Sequence, residues 1–297
     1  MKGRQKAAGR KGGAEKLPEV FMSDLFYRAD PFLICALLAL ALFIAGEAGF
    51  RVRGRERPAA ETAEKSDISL ILGGVLTLLS LMLGFTFVLS EERYEARRKL
   101  VIDESNAIGT TYLRAWTLPG PEGSEIRDLL RQYIDLRVQA AGTSTVTRER
   151  LDRLIAGTRR IHGALWARAS SVARRRPTPV TSLFLQSLNQ VIDINSDRLA
   201  AFRNRVPLSV YAVLFLVSII AMWLVGYYSR SQKGRARAPA ALLALLIASV
   251  MWLIMDLDQP LRGLIRPSQQ SLADLQADLG MGPSGSSLTN RALEQVK

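Results

Sequence analysis

Cysteine and histidine are almost absent from this 297-residue chain, which has one of each, Cys35 and His162. A single cysteine forms no internal disulfide, and one cysteine with one histidine forms no zinc cluster, so no disulfide scaffold or structural metal centre is expected. A Ser/His/Asp triad would have to use His162, which stands in the basic run Arg159-Arg160-Ile161-His162 and reads as a solvated or interfacial side chain. There is no P-loop and no H-E-x-x-H. A literal G-x-G-x-x-G runs from Gly280 to Gly285, but it follows a helical pattern and contains Pro283. It also lacks the strand and βαβ unit that phosphate cradling needs. Catalysis has no foothold, and neither an enzyme nor a cofactor nor a bound metal is expected. Acids are outnumbered too, 27 Asp+Glu against 40 Lys+Arg, giving a formal charge of +13.

What is present is concentrated. Uncharged runs occupy Pro31–Gly46, Ile68–Ser90, Val206–Ser229 and Ala238–Met255. Runs apolar on every side of a helix need lipid or a deep core. A hydrocarbon layer of about 30 Å takes roughly 20 helical residues. With their flanks the runs give four spans, 31–50, 68–90, 206–229 and 238–257, the first carrying one acid, Glu47, near its end. The expected class is therefore an all-α membrane protein with four transmembrane helices. Residues 1–30 read as a basic, disordered tail, retained because no small-x-small cleavage site follows the first run.

The 115 residues between spans two and three, 91–205, hold 20 basic and 13 acidic side chains and no alternating strand pattern. Ile126, Leu129, Leu130, Tyr133 and Ile134 make one amphipathic stripe within Ser124–Ala141. Leu151, Leu154, Ile155, Ile161, Leu165, Ala169 and Val172 make another within Thr147–Arg176. Pro119-Gly120-Pro121 and Pro177-Thr178-Pro179 separate the helices. Nothing interrupts the helix leaving span two, so a rod from Ile68 to about Thr117, about 75 Å long, is predicted. Residues 180–205 form the return helix, with Pro207 predicting a kink before span three. The whole is a helical bundle domain between spans two and three. Residues 258–297 read as a C-terminal tail with one short helix, capped by Ser268 and ended by Gly280, before a loose Gly/Ser-rich end.

Orientation signals oppose one another. The short loops carry nine bases, Arg51, Arg53, Arg55, Arg57, Lys65, Arg230, Lys233, Arg235 and Arg237, whereas seven bases precede span one. Basic segments stay in the cytoplasm. Giving the first span precedence puts the tails and the helical domain in the cytoplasm, with the spans in a bacterial inner membrane.

Two regions are candidates for function. Span two contains Gly73, Gly74, Gly84 and Thr86, with Phe85 and Phe87 as rings able to form a dewetting neck around a pore. Beyond it lie Arg93, Arg97, Arg98, Asp103, Glu104, Asn106, Thr110 and Arg114. At about 100° per residue, Asp103, Asn106, Thr110 and Arg114 share one side, opposite Val101, Ile108, Tyr112 and Trp116. Such a stripe reads either as a bundle face or as the wall of a polar vestibule. Asp256, Asp258 and Arg262 end span four, where the acids either hydrogen-bond locally or pair with Arg97, Arg98 or Arg114.

Several blocks in combination resemble the bacterial bestrophin-like family. They are Gly84-Phe85-Thr86-Phe87, Glu92 to Arg98, Asp103 to Thr110 with Tyr112-Leu113-Arg114, Asp256 to Pro260, Arg262 to Ile265, and Ser268 to Gln270. Family members usually carry Arg in place of Gln259 and Val in place of Pro267. True bestrophins, to which this family is distantly similar, are pentameric ion channels with a pore-lining second span and a large helical cytosolic part. The resemblance thus implies a homo-oligomer, on that plan a pentamer, passing inorganic ions through the lipid bilayer. The acidic calcium clasp of animal bestrophins has no counterpart here, and no nucleic-acid partner is expected. The helical domain nets +7, which favours anions, while its acids leave cations open. The alternative is a non-conducting membrane scaffold or sensor whose Leu151/Ile155/Ile161 face binds a protein partner.

Overall fold

The computed structural model describes residues 30–53, 61–141, 148–231, 237–260 and 263–280. Every regular element among them is an α-helix: α1 (Pro31–Arg53), α2 (Glu61–Ala115), α3 (Pro121–Ala141), α4 (Arg148–Arg175), α5 (Pro179–Arg203), α6 (Leu208–Ser231), α7 (Arg237–Asp258) and α8 (Gln270–Gly280). Four stretches are long and apolar enough to cross a bilayer; they lie on α1, the first half of α2, α6 and α7. The chain is thus an all-α membrane protein. It forms two compact units, one of Met1–Glu91 and Arg205–Gln259, the other of Glu92–Asn204 and Pro260–Lys297.

In the first unit α1 packs along α6 and α7. Leu42, Leu214, Ala221, Met222, Met251 and Ile254 form its core. The α1/α6 crossing is close because glycines face each other. A methyl group on Gly226 would overlap the Gly46 carbonyl, and one on Gly49 would overlap that of Trp223. Small residues let helix backbones approach where lipid supplies no hydrophobic drive. Next to the crossing, Arg53 Nη1 donates to the Tyr227 hydroxyl at 2.8 Å, and Trp223 stacks on Tyr227.

The second unit is a bundle of the later part of α2 with α3, α4, α5 and α8, sharing a core of Ile108, Ile126, Leu130, Tyr133, Leu165, Phe184, Leu188 and Leu272. Thr178 caps α5 with a capping box to Thr181, and Pro179 supplies the first helical residue. Gly120, at φ 81, turns the chain from α2 into α3. Two differences from expectation stand out. The helix before span three does not kink but stops at Arg203 and restarts at Leu208, since Pro207 has no N–H to continue the ladder. The stretch after span four is also more than a tail. Ser268 Oγ accepts from the Gln270 N–H, and Leu272, Leu275 and Leu279 of α8 are buried in the second unit's core. The Gly/Ser-rich end and the G-x-G-x-x-G beyond Gly280 lie outside the described residues, as do the basic tail and the two basic loop segments 54–60 and 232–236.

Candidate functional site

The second span is the least enclosed of the four. Only 11% of its most apolar window is buried, against 28%, 28% and 44% for the others. One stripe, Leu79, Leu83, Thr86 and Ser90, is buried, and the Thr86 hydroxyl donates to the Met82 carbonyl at 2.8 Å. The rest is bare. Leu70, Ile71, Leu78, Leu81, Phe85, Val88 and Leu89 are exposed, and a methyl on Gly73, Gly74 or Gly84 would meet nothing within 4 Å. The two phenylalanines separate. Phe85 is 64% exposed, whereas Phe87, two residues on, turns back and packs against the first unit's core.

The charged and polar set beyond the span divides by exposure. Asn106, Thr110 and Arg98 are exposed, Arg98 beside Glu95 at 3.3 Å; Arg93, Asp103 and Arg114 are half-buried; Arg97 and Glu104 are buried. Arg114 Nη1 donates to the Leu183 carbonyl at 2.7 Å, joining the end of α2 to the start of α5. Trp116 is also displaced from the inner side expected for it. It is 44% exposed, with the Arg127 guanidinium 3.8 Å over its ring. One step along the same helix pair, Arg131 lies over Tyr112 at 5.5 Å.

Glu104 is the clearest departure from the polar stripe. It lies 100° round from Asp103, is 0% exposed, and forms the centre of a buried ion cluster in the second unit. The Tyr133 hydroxyl donates to Glu104 Oε1 at 2.5 Å and Arg137 Nη2 donates to Oε2 at 3.1 Å. Arg198 Nη1 also donates to Oε2, and Arg198 Nη2 reaches Gln269 Oε1 at 3.3 Å. The His162 ring sits 4.8 Å from that of Tyr133. α2, α3 and α5 therefore meet at one carboxylate, with His162 of α4 beside Tyr133 and Gln269 of the segment leading into α8 beside Arg198. Burial pushes the Glu104 carboxyl up, but Arg137, Arg198 and the Tyr133 hydroxyl outweigh it and hold the group below the usual carboxylate range. Burial drives the Tyr133 phenol well above its ordinary value, and the adjacent carboxylate adds to that. His162, expected to be solvated or interfacial, is only 9% exposed.

At the end of span four Asp256 and Asp258 are both buried. Both carboxylate oxygens of Asp258 accept from the Val206 N–H at 3.1 Å, and the Tyr211 hydroxyl reaches Oδ2 at 3.4 Å. Asp258 thus satisfies a backbone donor just ahead of Pro207, where the chain is barred from helix. Arg262 lies outside the described residues. No group of three or more His, Cys, Asp or Glu able to hold a metal occurs among the described residues. The Leu151/Ile155/Ile161 face is half-buried, and Ile161 packs against the unit's own core. Tyr133, Arg137, His162 and Arg198, which the sequence reading did not select as functional, are where the buried polar chemistry gathers.

These features define a multi-pass helical membrane protein with a helical bundle between its second and third spans. Residues 35–272 match the Bestrophin-like domain, and the chain belongs to that family. No curated protein matches it. Among solved structures it is similar to a point variant of a bacterial bestrophin homolog from Klebsiella pneumoniae, at 14% identity and a TM-score of 0.58, covering 85% of this chain and 97% of that one. A second variant of that homolog gives 16% identity, a TM-score of 0.56, and coverage of 84% and 98%. A crystal structure described as a membrane protein gives 13%, 0.58, 84% and 100%. At these identities the likeness is one of fold.

Proposed function

We propose that this chain is one subunit of an oligomeric passive ion channel whose second span faces the pore and which passes anions in preference to cations. The observation that carries the reading is the scant packing of span two within its own chain. Lipid alone would accept the exposed leucines. Exposed Gly73, Gly74 and Gly84 instead suit a close helix neighbour that the described residues do not supply. Phe85 is the ring available for a constriction; Phe87 is partly engaged at home. Eighteen residues are five helical turns, so Phe85 and Asp103 share one side of α2, with Thr110 and Arg114 within about 20° of it. Of the candidate vestibule charges Arg97 and Glu104 are both buried, leaving Arg93, Arg98 and Arg114 against Asp103, which supports the anion preference. The membrane is a bacterial inner membrane, and the seven bases before span one favour a cytoplasmic helical unit.

The test is reconstitution of the purified full-length protein in liposomes, with chloride and potassium as probes and intact mass of the detergent complex measured alongside. Several copies per complex, chloride flux exceeding potassium flux, and a raised flux in Phe85→Ala are expected. Absence of flux for both ions, or a single-copy complex, would overturn the reading.

A further inference from the structure

We propose that His162, the chain's single histidine, makes the helical unit a proton-responsive element, because its ring is seated where an added proton finds no compensating partner. The ring is nine-tenths buried and its Nε2 has no hydrogen-bond partner among the described residues. It packs against Tyr133, whose hydroxyl is already committed to Glu104. The groups around it can be named element by element. α2 contributes Glu104, and α3 contributes Tyr133 and Arg137; Arg198 of α5 pairs with Glu104, and Gln269 of the segment before α8 with Arg198 in turn. Asp193 and Asp197 of α5, and Arg159 and Arg160 on α4 itself, are exposed. The buried set is therefore one carboxylate against two guanidiniums, already net positive. An imidazolium would add a second excess positive charge inside the bundle.

Burial lowers the His162 pKa; Glu104 pulls it up and Arg137 pushes it down, and the outcome lies below the ordinary histidine value. The folded unit thus prefers neutral His162, whereas the unfolded chain takes the proton at about pH 6.5. Stability is full above that pH and falls as acid carries the protein down towards the folded-state value. Glu104, held below the usual carboxylate range, stays charged between about pH 6.5 and 5 and adds nothing to the loss in that window.

One histidine gives one resonance. With the full-length protein in detergent and its histidine ring carbon labelled, a titration from pH 8 to 5 reads this group alone. A midpoint below about 6.5 is expected. Alongside it, the thermal midpoint of the wild type should fall below pH 6.5, while His162→Gln and His162→Phe stay flat down to pH 5. A resonance midpoint at or above 6.5, or the same acid slope in wild type and in whichever variant folds, overturns the proposal. None of these readouts needs ion flux, so this inference stands or falls apart from the channel reading.

Discussion

Replacing Glu104 with glutamine tests the architecture of the helical unit most directly. Its carboxylate is wholly buried and is the acid that Arg137 and Arg198 share, with side-chain exposures of 15% and 8% for the two arginines. The substitution keeps the shape but leaves two guanidiniums inside the bundle with no counter-charge. An amide oxygen can serve one arginine, while the amide NH2 confronts the other arginine or the Tyr133 hydroxyl. Breaking a buried ion pair from one side costs about 3–5 kcal/mol, and with side chains this buried no solvent discount applies. At about 2–4 °C per kcal/mol for a domain of this size, the thermal midpoint should fall by roughly 6–20 °C. The assay is thermal unfolding of the detergent-solubilised protein, followed by the near-UV signal, which reports aromatic packing. Tyr133→Phe removes one hydrogen bond to a charged acceptor and should cost less, about 1.5–3 kcal/mol. The triple variant Glu104→Leu, Arg137→Met, Arg198→Met removes every charge at once and should return near or above wild type. The reasoning is refuted if Glu104→Gln moves the midpoint by less than about 2 °C, or if the triple variant is less stable than the single one.

Glycine substitutions in the two units should have opposite signs. Gly226→Ala forces a methyl into the Gly46 backbone, which cannot yield as a side chain can, and should lower the thermal midpoint by an amount equivalent to about 1–3 kcal/mol. Gly163→Ala, in the exposed interior of α4 with nothing within 4 Å, should raise it by about 1 kcal/mol through helix propensity. Thr178→Ala removes the acceptor that holds the Thr181 N–H at 3.2 Å and should cost about 1 kcal/mol, with hydrogen exchange quickening in the first turn of α5.

The fold was legible where one physical requirement dominates. A helix in lipid must be uncharged for the width of the bilayer, so the spans follow from charge-free runs; three of the observed helices extend them by only a few flanking residues, and α2 runs on to Ala115. Amphipathic stripes located α3 and α4 for the same kind of reason. Boundaries went astray where proline has two roles. Pro121 was read as a breaker, yet it opens α3, because its missing N–H falls where a helix needs none. Pro207 interrupts the chain outright, and Asp258, 52 residues away, completes the break by taking the Val206 N–H. Such a long-range partner leaves no local signature.

The buried cluster had a signature, visible only when the helices are compared. Each core stripe is apolar except for a polar or charged member at a position that geometry sends inward. On α2 the stripe runs Val101, Glu104, Ile108, Tyr112; on α3 it is Ile126, Leu130, Tyr133 and, four residues on, Arg137. On α4 it runs Thr158, His162, Leu165, Ala169, and on α5 Phe184, Leu188, Val191, Asn195, Arg198. Judged singly, Glu104 joins its neighbour Asp103 in the polar vestibule set, since an isolated acid beside a polar face is most cheaply left in water. Judged together, the four stripes bring one acid, two bases and an imidazole to the same bundle, and a charge sent inward must meet its opposite or be neutralised. The single carboxylate can balance only one of the two arginines, so the cluster keeps an excess positive charge, and the histidine beside it, which can shed its proton where an arginine cannot, is best accommodated neutral. A pattern of signs across helices, rather than any motif within one, therefore specifies both the cluster and the neutral state of His162.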